Sequence, residues 1–321
     1  MAIFLNIILI LFLSFLLVKA TDILVTNFKS LSNKTRLSKF ALTGLILGLA
    51  TSLPELFVGI TSALEGQAIL SLGNIIGANI ANISLVIGGA ALIGGGLLIK
   101  DKFLNRDIFY AFLAATSPML LLADKNLSRT DGIILIILYC FYQILIFSEH
   151  RHQPAIDEPY QQKFLRKIKI GSGKKEIAWI LFGVALMLFA ADALVKIAIK
   201  LALSFNLPLL LVGLLIVSLG TTLPELVFNI EALKKKQPTM VFGNLLGSIV
   251  ANGTLIIGLA ALISPIRVQS INNYLVSTLS FLLIFIALYF FMRTKKRLDR
   301  WEGGALLLLY FLFVFLEFKI F

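Results

Sequence analysis

Cysteine occurs once in this 321-residue chain, at Cys140, and histidine only twice, at His150 and His152. A single thiol excludes an internal disulfide framework and any multi-thiolate metal site; its expected state is inert burial. Both histidines fall in the longest hydrophilic stretch, beside Pro154, Pro159 and Gly171 to Gly173. A His-x-His pair there reads as part of a solvated linker rather than a metal site. Charge is scarce too, at 14% of residues. The net charge of +12 invites a nucleic-acid partner, but the basic residues cluster in short loops between apolar runs. In that setting they report topology, and no nucleic-acid partner is expected.

Apolar residues make up 59% of the chain, and windows of about 20 of them recur along its whole length, more than a soluble core requires. Ten segments emerge, near 3–27, 38–64, 68–98, 106–123, 131–148, 176–200, 207–233, 239–263, 272–292 and 302–319. Backbone polar groups in lipid must be satisfied internally, and the alternation of barrel strands is absent, so the segments are helices. This predicts an all-α polytopic membrane protein. The stretch from Ala2 to Val18 lacks a basic flank and a convincing small-residue cleavage site, and reads as a retained first span. Glycines at 88, 89 and 94 to 96 suit close helix packing and loosen the end of the third segment.

The hydrophilic stretch divides the segments five and five, giving halves at 1–148 and 176–321 joined by a linker at 149–175 that is too short for a folded domain. With ten spans both termini share one side. Placing them outside puts 23 of the 29 basic residues on the inner side, as the positive-inside rule demands. The linker is then cytoplasmic. By the same rule the run Lys234 to Lys236 is a topology signal rather than a catalytic group.

The two halves repeat one another at a constant offset of 170 residues. Thr51-Ser52-Leu53-Pro54-Glu55-Leu56 matches Thr221-Thr222-Leu223-Pro224-Glu225-Leu226, and Gly73-Asn74 with Gly77, Ala81 and Asn82 match Gly243-Asn244 with Gly247, Ala251 and Asn252. Fifteen of the 38 pairs from Thr51 to Gly88 are identical. Asp22 also aligns with Asp192, although Lys19 and Lys196 nearby favour ion pairing for both. Because five is odd, the halves enter the membrane from opposite sides, which predicts two inverted five-helix repeats.

A carboxylate at membrane depth is costly and therefore a functional candidate, and this one is built twice. Proline inside a span removes a backbone donor and clashes with the carbonyl four residues earlier. Breaks at Pro54 and Pro224 should free carbonyls around Gly48 to Thr51 and Ser218 to Thr221. Hydroxyls of Thr51, Ser52, Thr221 and Thr222 lie at the breaks, with Glu55 and Glu225 on the same helix faces as Thr51 and Thr221. Asn74, Asn82 and Ser84, with Asn244, Ser248, Asn252 and Thr254, come from the partner helices. All are hard oxygen donors of the kind that suits Ca²⁺ and, by the same logic, Na⁺. A lone proline in a span is ordinarily only a kink; two copies with paired glutamates point to a site. An intramembrane enzyme using the glutamates as acid and base would need a nucleophile or metal ligands close by, and neither motif has a histidine or cysteine near it.

These G/A-T-S/T-L-P-E and G-N-x-x-G-x-x-x-A-N segments resemble the two α-repeats of the Ca²⁺/cation antiporter superfamily, most of all its prokaryotic sodium/calcium exchanger branch. The resemblance implies alternating access around a central site, with Na⁺ entry driving Ca²⁺ out. It also implies a non-enzymatic protein of the cell's inner (plasma) membrane, functional as a monomer in the lipid bilayer and without a cofactor beyond the transported ions. By motif position the Ca²⁺ ligands are Glu55, Glu225 and oxygens of Thr51 and Thr221. The Na⁺ sites add the carbonyls of Gly48 and Ser218, and Ser52, Thr222, Ser248, Asn82 and Asn252. Three positions depart from the family: Ala78 replaces a serine, Asn252 a frequent aspartate and Ala50 a glycine. The Asn252 change argues against potassium dependence. Gly77 and Gly247 stand where proton/calcium exchangers carry glutamate, which disfavours proton coupling, although Ala78 and Asn252 keep that alternative open.

Overall fold

The computed structural model describes residues 2–35, 51–98, 104–150, 174–234, 238–268, 271–295 and 297–320. Eleven helical elements follow in order among them: α1 (Ala2–Thr35), α2 (Leu53–Leu64), α3 (Ala68–Gly94), α4 (Leu104–Leu121), α5 (Arg129–His150), α6 (Lys174–Phe205), α7 (209–221), α8 (Leu223–Lys234), α9 (238–263), α10 (Ile271–Lys295) and α11 (Arg300–Ile320). Seven stretches of described helix are long and apolar enough to cross a membrane. Residues 38–50 of the second predicted segment and most of the linker lie outside the described residues.

Helix ends follow the local chemistry. α1 runs past its predicted end to Thr35 because neither glycine nor proline interrupts it. The third segment ends early, at Gly94, because Gly95 and Gly96 adopt φ of 77° and 102°, angles that glycine reaches without steric cost. α6 continues to Phe205, where Asn206 turns left-handed (φ 55°) just before Pro208.

Burial sorts the helices into a centre and a periphery. The α3, α7–α8 and α9 stretches are mostly buried, whereas α4, α6, α10 and α11 expose most of their surface. α1 packs along α6 through Leu13, Leu17, Ala20 and Leu24 against Met187, Ala190, Leu194 and Val195. The outer faces are apolar: Phe182 and Phe189 on α6, Phe290 on α10, and Phe311 and Phe315 on α11 are exposed. Surfaces of this kind are stable against lipid rather than water. Cys140 corrects an expectation, since it is exposed on α5 beside Ile137, Phe141 and Ile144. A thiol behaves as a small hydrophobe, and a lipid-facing surface satisfies it without burial.

Contacts between the halves come in reciprocal pairs. Strand β1 (Leu97–Leu98) pairs antiparallel with β4 (Arg297–Leu298), and β2 (Asn126–Leu127) with β3 (Ile266–Arg267). A Cβ on Gly88 would sit 2.7 Å from the Gly303 carbonyl, and one on Gly132 would sit 2.7 Å from the Gly258 carbonyl. At the centre, α3 and α7 touch backbone to backbone: a Cβ on Gly73 would collide with the Leu210 carbonyl and one on Gly77 with the Leu214 carbonyl. Gly77→Ala is therefore expected to lower the thermal midpoint of the detergent-solubilised protein, by an overpacking cost of about 1–3 kcal/mol. Gly89→Ala, with nothing within 4 Å of its added Cβ, should leave the midpoint unchanged or raise it.

Candidate cation-binding site

The two Pro-Glu motifs break their helices at equivalent residues. Ser52 (φ −87°, ψ 9°) precedes α2, and Thr222 (φ −78°, ψ −7°) separates α7 from α8. Each proline then falls at the start of a helix, where its missing N–H costs nothing. The interruption lasts one residue: Leu56 N–H donates to the Ser52 carbonyl at 3.0 Å and Leu226 N–H to the Thr222 carbonyl at 3.1 Å. Glu55 and Glu225 thus occupy the first turns of α2 and α8, where the helix dipole favours negative charge.

Both glutamates are 0% exposed. No donor among the described residues meets hydrogen-bond geometry at any of their four carboxylate oxygens, although the Thr221 hydroxyl is near enough to favour the Glu55 charge, and the two side chains interact electrostatically. Among the described residues no group of three or more His, Cys, Asp or Glu side chains is present, so two carboxylates supply the local negative charge. Burying them in this way costs several kcal/mol per ion unless opposite charge or protons compensate.

Each break is tied to the other half of the chain. Thr51 Oγ1 donates to Asn244 Oδ1 at 2.7 Å and lies 3.3 Å from Ser248 Oγ. Reciprocally, Thr221 Oγ1 donates to Asn74 Oδ1 at 3.0 Å. Asn244, Ser248 and Asn252 follow at i, i+4 and i+8 along α9, as Asn74, Ala78 and Asn82 do along α3, so each triplet presents one face. Ala78, in the place of Ser248, leaves Thr221 a single side-chain partner on the facing helix; its hydroxyl also lies 3.2 Å from the Ser218 carbonyl of its own helix.

Not every expected ligand is free. The Ser218 carbonyl also accepts from Thr222 N–H at 3.0 Å and Thr222 Oγ1 at 2.6 Å. Proline frees the Gly220 carbonyl instead, because residue 224 has no N–H to give it. The Ser52 hydroxyl is buried and without a partner among the described residues. Gly48 lies outside them. Asp192 pairs with Lys196 at 3.0 Å, and Lys196 also reaches Glu65 at 3.7 Å, an ion-pair role at a helix end. Asp22 lines an open cavity between α1 and α6 with Asn27, Ser30 and Glu176.

Two features escaped sequence reasoning. The helix widens into a π-turn at Asn82–Val86 and at Ala251–Ile256, a distortion found mostly at functional sites. Its only local signal is a hydroxyl two residues beyond each asparagine: Ser84 donates to the Ile80 carbonyl at 2.5 Å and Thr254 to the Val250 carbonyl at 2.6 Å. The second feature is a pair of unrepeated asparagines. Asn79 accepts a bond from Asn252 Nδ2 at 2.9 Å, and Asn229 accepts one from Asn244 Nδ2 at 3.5 Å. Comparing the halves hides them, because Ile249 and Gly59 occupy the equivalent positions; an amide in an apolar run was the available clue.

A family model described as sodium/calcium exchanger protein matches residues 5–148 and 175–319. The putative antiporter CaxA of Alkalimonas amylolytica is 27% identical over 309 residues, covering 95% of this chain and 96% of its own. Among solved structures, the sodium-calcium exchanger NCX_Mj superposes with a TM-score of 0.65 at 24% identity, over 97% of both chains. The H⁺/Ca²⁺ exchanger CAX superposes at 0.76 with 17% identity, over 97% of this chain and 82% of that one. Both likenesses establish the fold.

The unpaired carboxylates make a thermal prediction. Glu55→Gln and Glu225→Gln each remove one buried carboxylate, so each variant should unfold at a higher temperature than the parent in chelator at alkaline pH, where no proton compensates the charge. Added Ca²⁺ should then stabilise the parent by about 2.7 kcal/mol at a hundred times its dissociation constant and stabilise neither variant. Differential scanning fluorimetry in detergent measures both effects.

Proposed function

The chain belongs to the sodium/calcium exchanger protein family, and from that membership we propose that it exchanges Na⁺ for Ca²⁺ at a central site shared by two inverted repeats. It is a secondary transporter, not an enzyme. The observation that carries the proposal is the pair of buried glutamates, each at a helix break whose threonine is bonded to the other half.

The charge of the site supplies the coupling. One Ca²⁺ neutralises the two carboxylates, and several Na⁺ replace it by using the same oxygens with the neighbouring hydroxyls and amides. Without a cation, two buried charges face one another in a medium of low dielectric, which makes the empty site costly to carry across the membrane. Transport therefore proceeds by exchange. In this assignment Glu55, Glu225, Thr51 and Thr221 hold Ca²⁺; Gly48, Ser52, Asn82, Ser218, Thr222, Ser248 and Asn252 complete the Na⁺ sites. Ala78 withholds one hydroxyl from the first repeat.

Three contacts support ten spans in inverted halves. The β1–β4 pair joins two loops that charge counting places inside, and the β2–β3 pair joins two that it places outside. The Lys196–Glu65 ion pair links two helix ends assigned to the outside. The family match falls in two blocks that coincide with the proposed halves at 1–148 and 176–321, separated by the proposed cytoplasmic linker at 149–175. The proposal includes a monomer in the plasma membrane with both termini outside.

Sodium is favoured over protons by Gly77. A glutamate there would drive its Cβ into the Leu214 carbonyl and to 2.6 Å from Ser218 Oγ, so the packing of α3 on α7 excludes it. Purified protein in proteoliposomes should take up radiolabelled Ca²⁺ when an outward Na⁺ gradient is imposed, and not with an equal K⁺ gradient. Uptake driven only by a proton gradient would falsify sodium coupling. Glu55→Gln and Glu225→Gln should each abolish uptake while the protein still elutes as a folded species. Ala78→Ser restores a hydroxyl facing Thr221 and should lower the half-saturating Na⁺ concentration by up to about tenfold, the worth of one hydrogen bond.

A further inference from the structure

The amide network around the two asparagine triplets is lopsided. On α9, Asn252 is held by Asn79 and Asn244 by Asn229. On α3 the equivalent asparagines have no such supports: the Nδ2 atoms of Asn74 and Asn82 are buried and without partners among the described residues. The cause is in the sequence, since Ile249 and Gly59 replace the supporting amides.

Holding one end of an amide decides what the other end offers. An asparagine carries a donor nitrogen and an acceptor oxygen of nearly equal size, and a cation binds only the oxygen. Asn252 Nδ2 is committed to Asn79 Oδ1 at 2.9 Å. Its Oδ1 is fully buried and has no partner among the described residues. Turning the Asn252 amide over by itself would bring its oxygen against the Asn79 oxygen and repel it. Asn79 itself is not on the face that carries Asn74, Ala78 and Asn82, and it reaches Asn252 from the opposite half of the chain.

We propose that Asn79 is a positioning residue that locks the Asn252 amide with its oxygen toward the cation, and so makes a neutral asparagine serve as a one-sided oxygen ligand. This rests on the exchanger assignment of the site. A carboxylate presents oxygen either way round, whereas an amide has to be oriented. Asn229 stands in the same relation to Asn244 over a longer 3.5 Å bond, and its removal should have the smaller effect.

The test is Na⁺ binding to detergent-solubilised full-length protein, read as the Na⁺ concentration that displaces half of the bound radiolabelled Ca²⁺ in a scintillation proximity assay, with thermal unfolding recorded in parallel. Loss of an outer partner to a metal ligand typically weakens binding about 10- to 100-fold, and Asn79→Leu is expected to do so. Combining it with Asn252→Asp should cancel the loss, leaving the double variant within about twofold of Asn252→Asp alone, because the carboxylate needs no orienting. An Asn79→Leu variant from which Na⁺ displaces Ca²⁺ as readily as from the parent, or an undiminished loss of Na⁺ binding in the Asn252→Asp background, overturns the positioning role while leaving the exchanger assignment intact. Absence of Ca²⁺ binding in the parent protein overturns that assignment, and the positioning role with it.

Discussion

Two carboxylates buried at the centre of a membrane protein, with no donor among the described residues in hydrogen-bond geometry at their oxygens, set the terms for everything around them. Moving an ion of this size out of water costs several kcal/mol even after relaxation. The fold limits that cost with what a helical membrane protein has available: the first turn of a helix beneath each carboxylate, and hydroxyls and amides arranged around it. Both devices depend on the breaks at Ser52 and Thr222. An uninterrupted helix would place the glutamates mid-span, with no helix terminus to favour their charge.

The breaks need support from outside their own helices, and that support crosses between the halves. Thr51 is held by Asn244 and Ser248, and Thr221 by Asn74. Such bonds require α3 to approach α7 at backbone distance, which Gly73 and Gly77 permit. A single steric requirement thereby joins packing to chemistry: the glycine that lets the helices touch is also the one that leaves no room for a third carboxylate. Reciprocity is incomplete, however. Ala78 thins the network on one side, and Asn79 and Asn229 thicken it on the other, so two copies of one motif are held by different sets of hydrogen bonds.

Much of this was legible before any coordinates. Where the chain is described, the apolar segments fall on helices, because segment length and hydropathy are local properties of the chain. Their ends were less legible. α1 extends beyond the apolar window because helical hydrogen bonding tolerates polar residues at a membrane boundary. α6 runs on through residues 201–205 until Asn206 and Pro208 stop it, and α3 stops at Gly94 because a left-handed glycine, not hydropathy, ends it. Cys140 was misplaced for a related reason: hydrophobic residues are expected inside a protein in water, whereas lipid gives them an equally favourable outside. At the site, the duplicated motif pointed to the glutamates, the threonines and the repeated asparagines, and the structure bonds Thr51 and Thr221 each to an asparagine of the other half. The motif also promised a free Ser218 carbonyl, which the structure instead engages with the hydroxyls of Thr221 and Thr222.

Residue type and spacing alone determined where proline must break a helix and which faces Glu55, Glu225 and the asparagine triplets share, since both follow from backbone sterics and helical period. Three things waited for the tertiary structure: which asparagine each threonine meets, where the π-turns widen α3 and α9, and which amide end Asn252 turns outward. Those outcomes depend on atoms from residues about 150 to 200 positions apart competing for the same buried donors and acceptors. Unpaired polar groups are penalised most in the low-dielectric interior, so the competition is decided by which helices pack together, and local sequence does not record that choice.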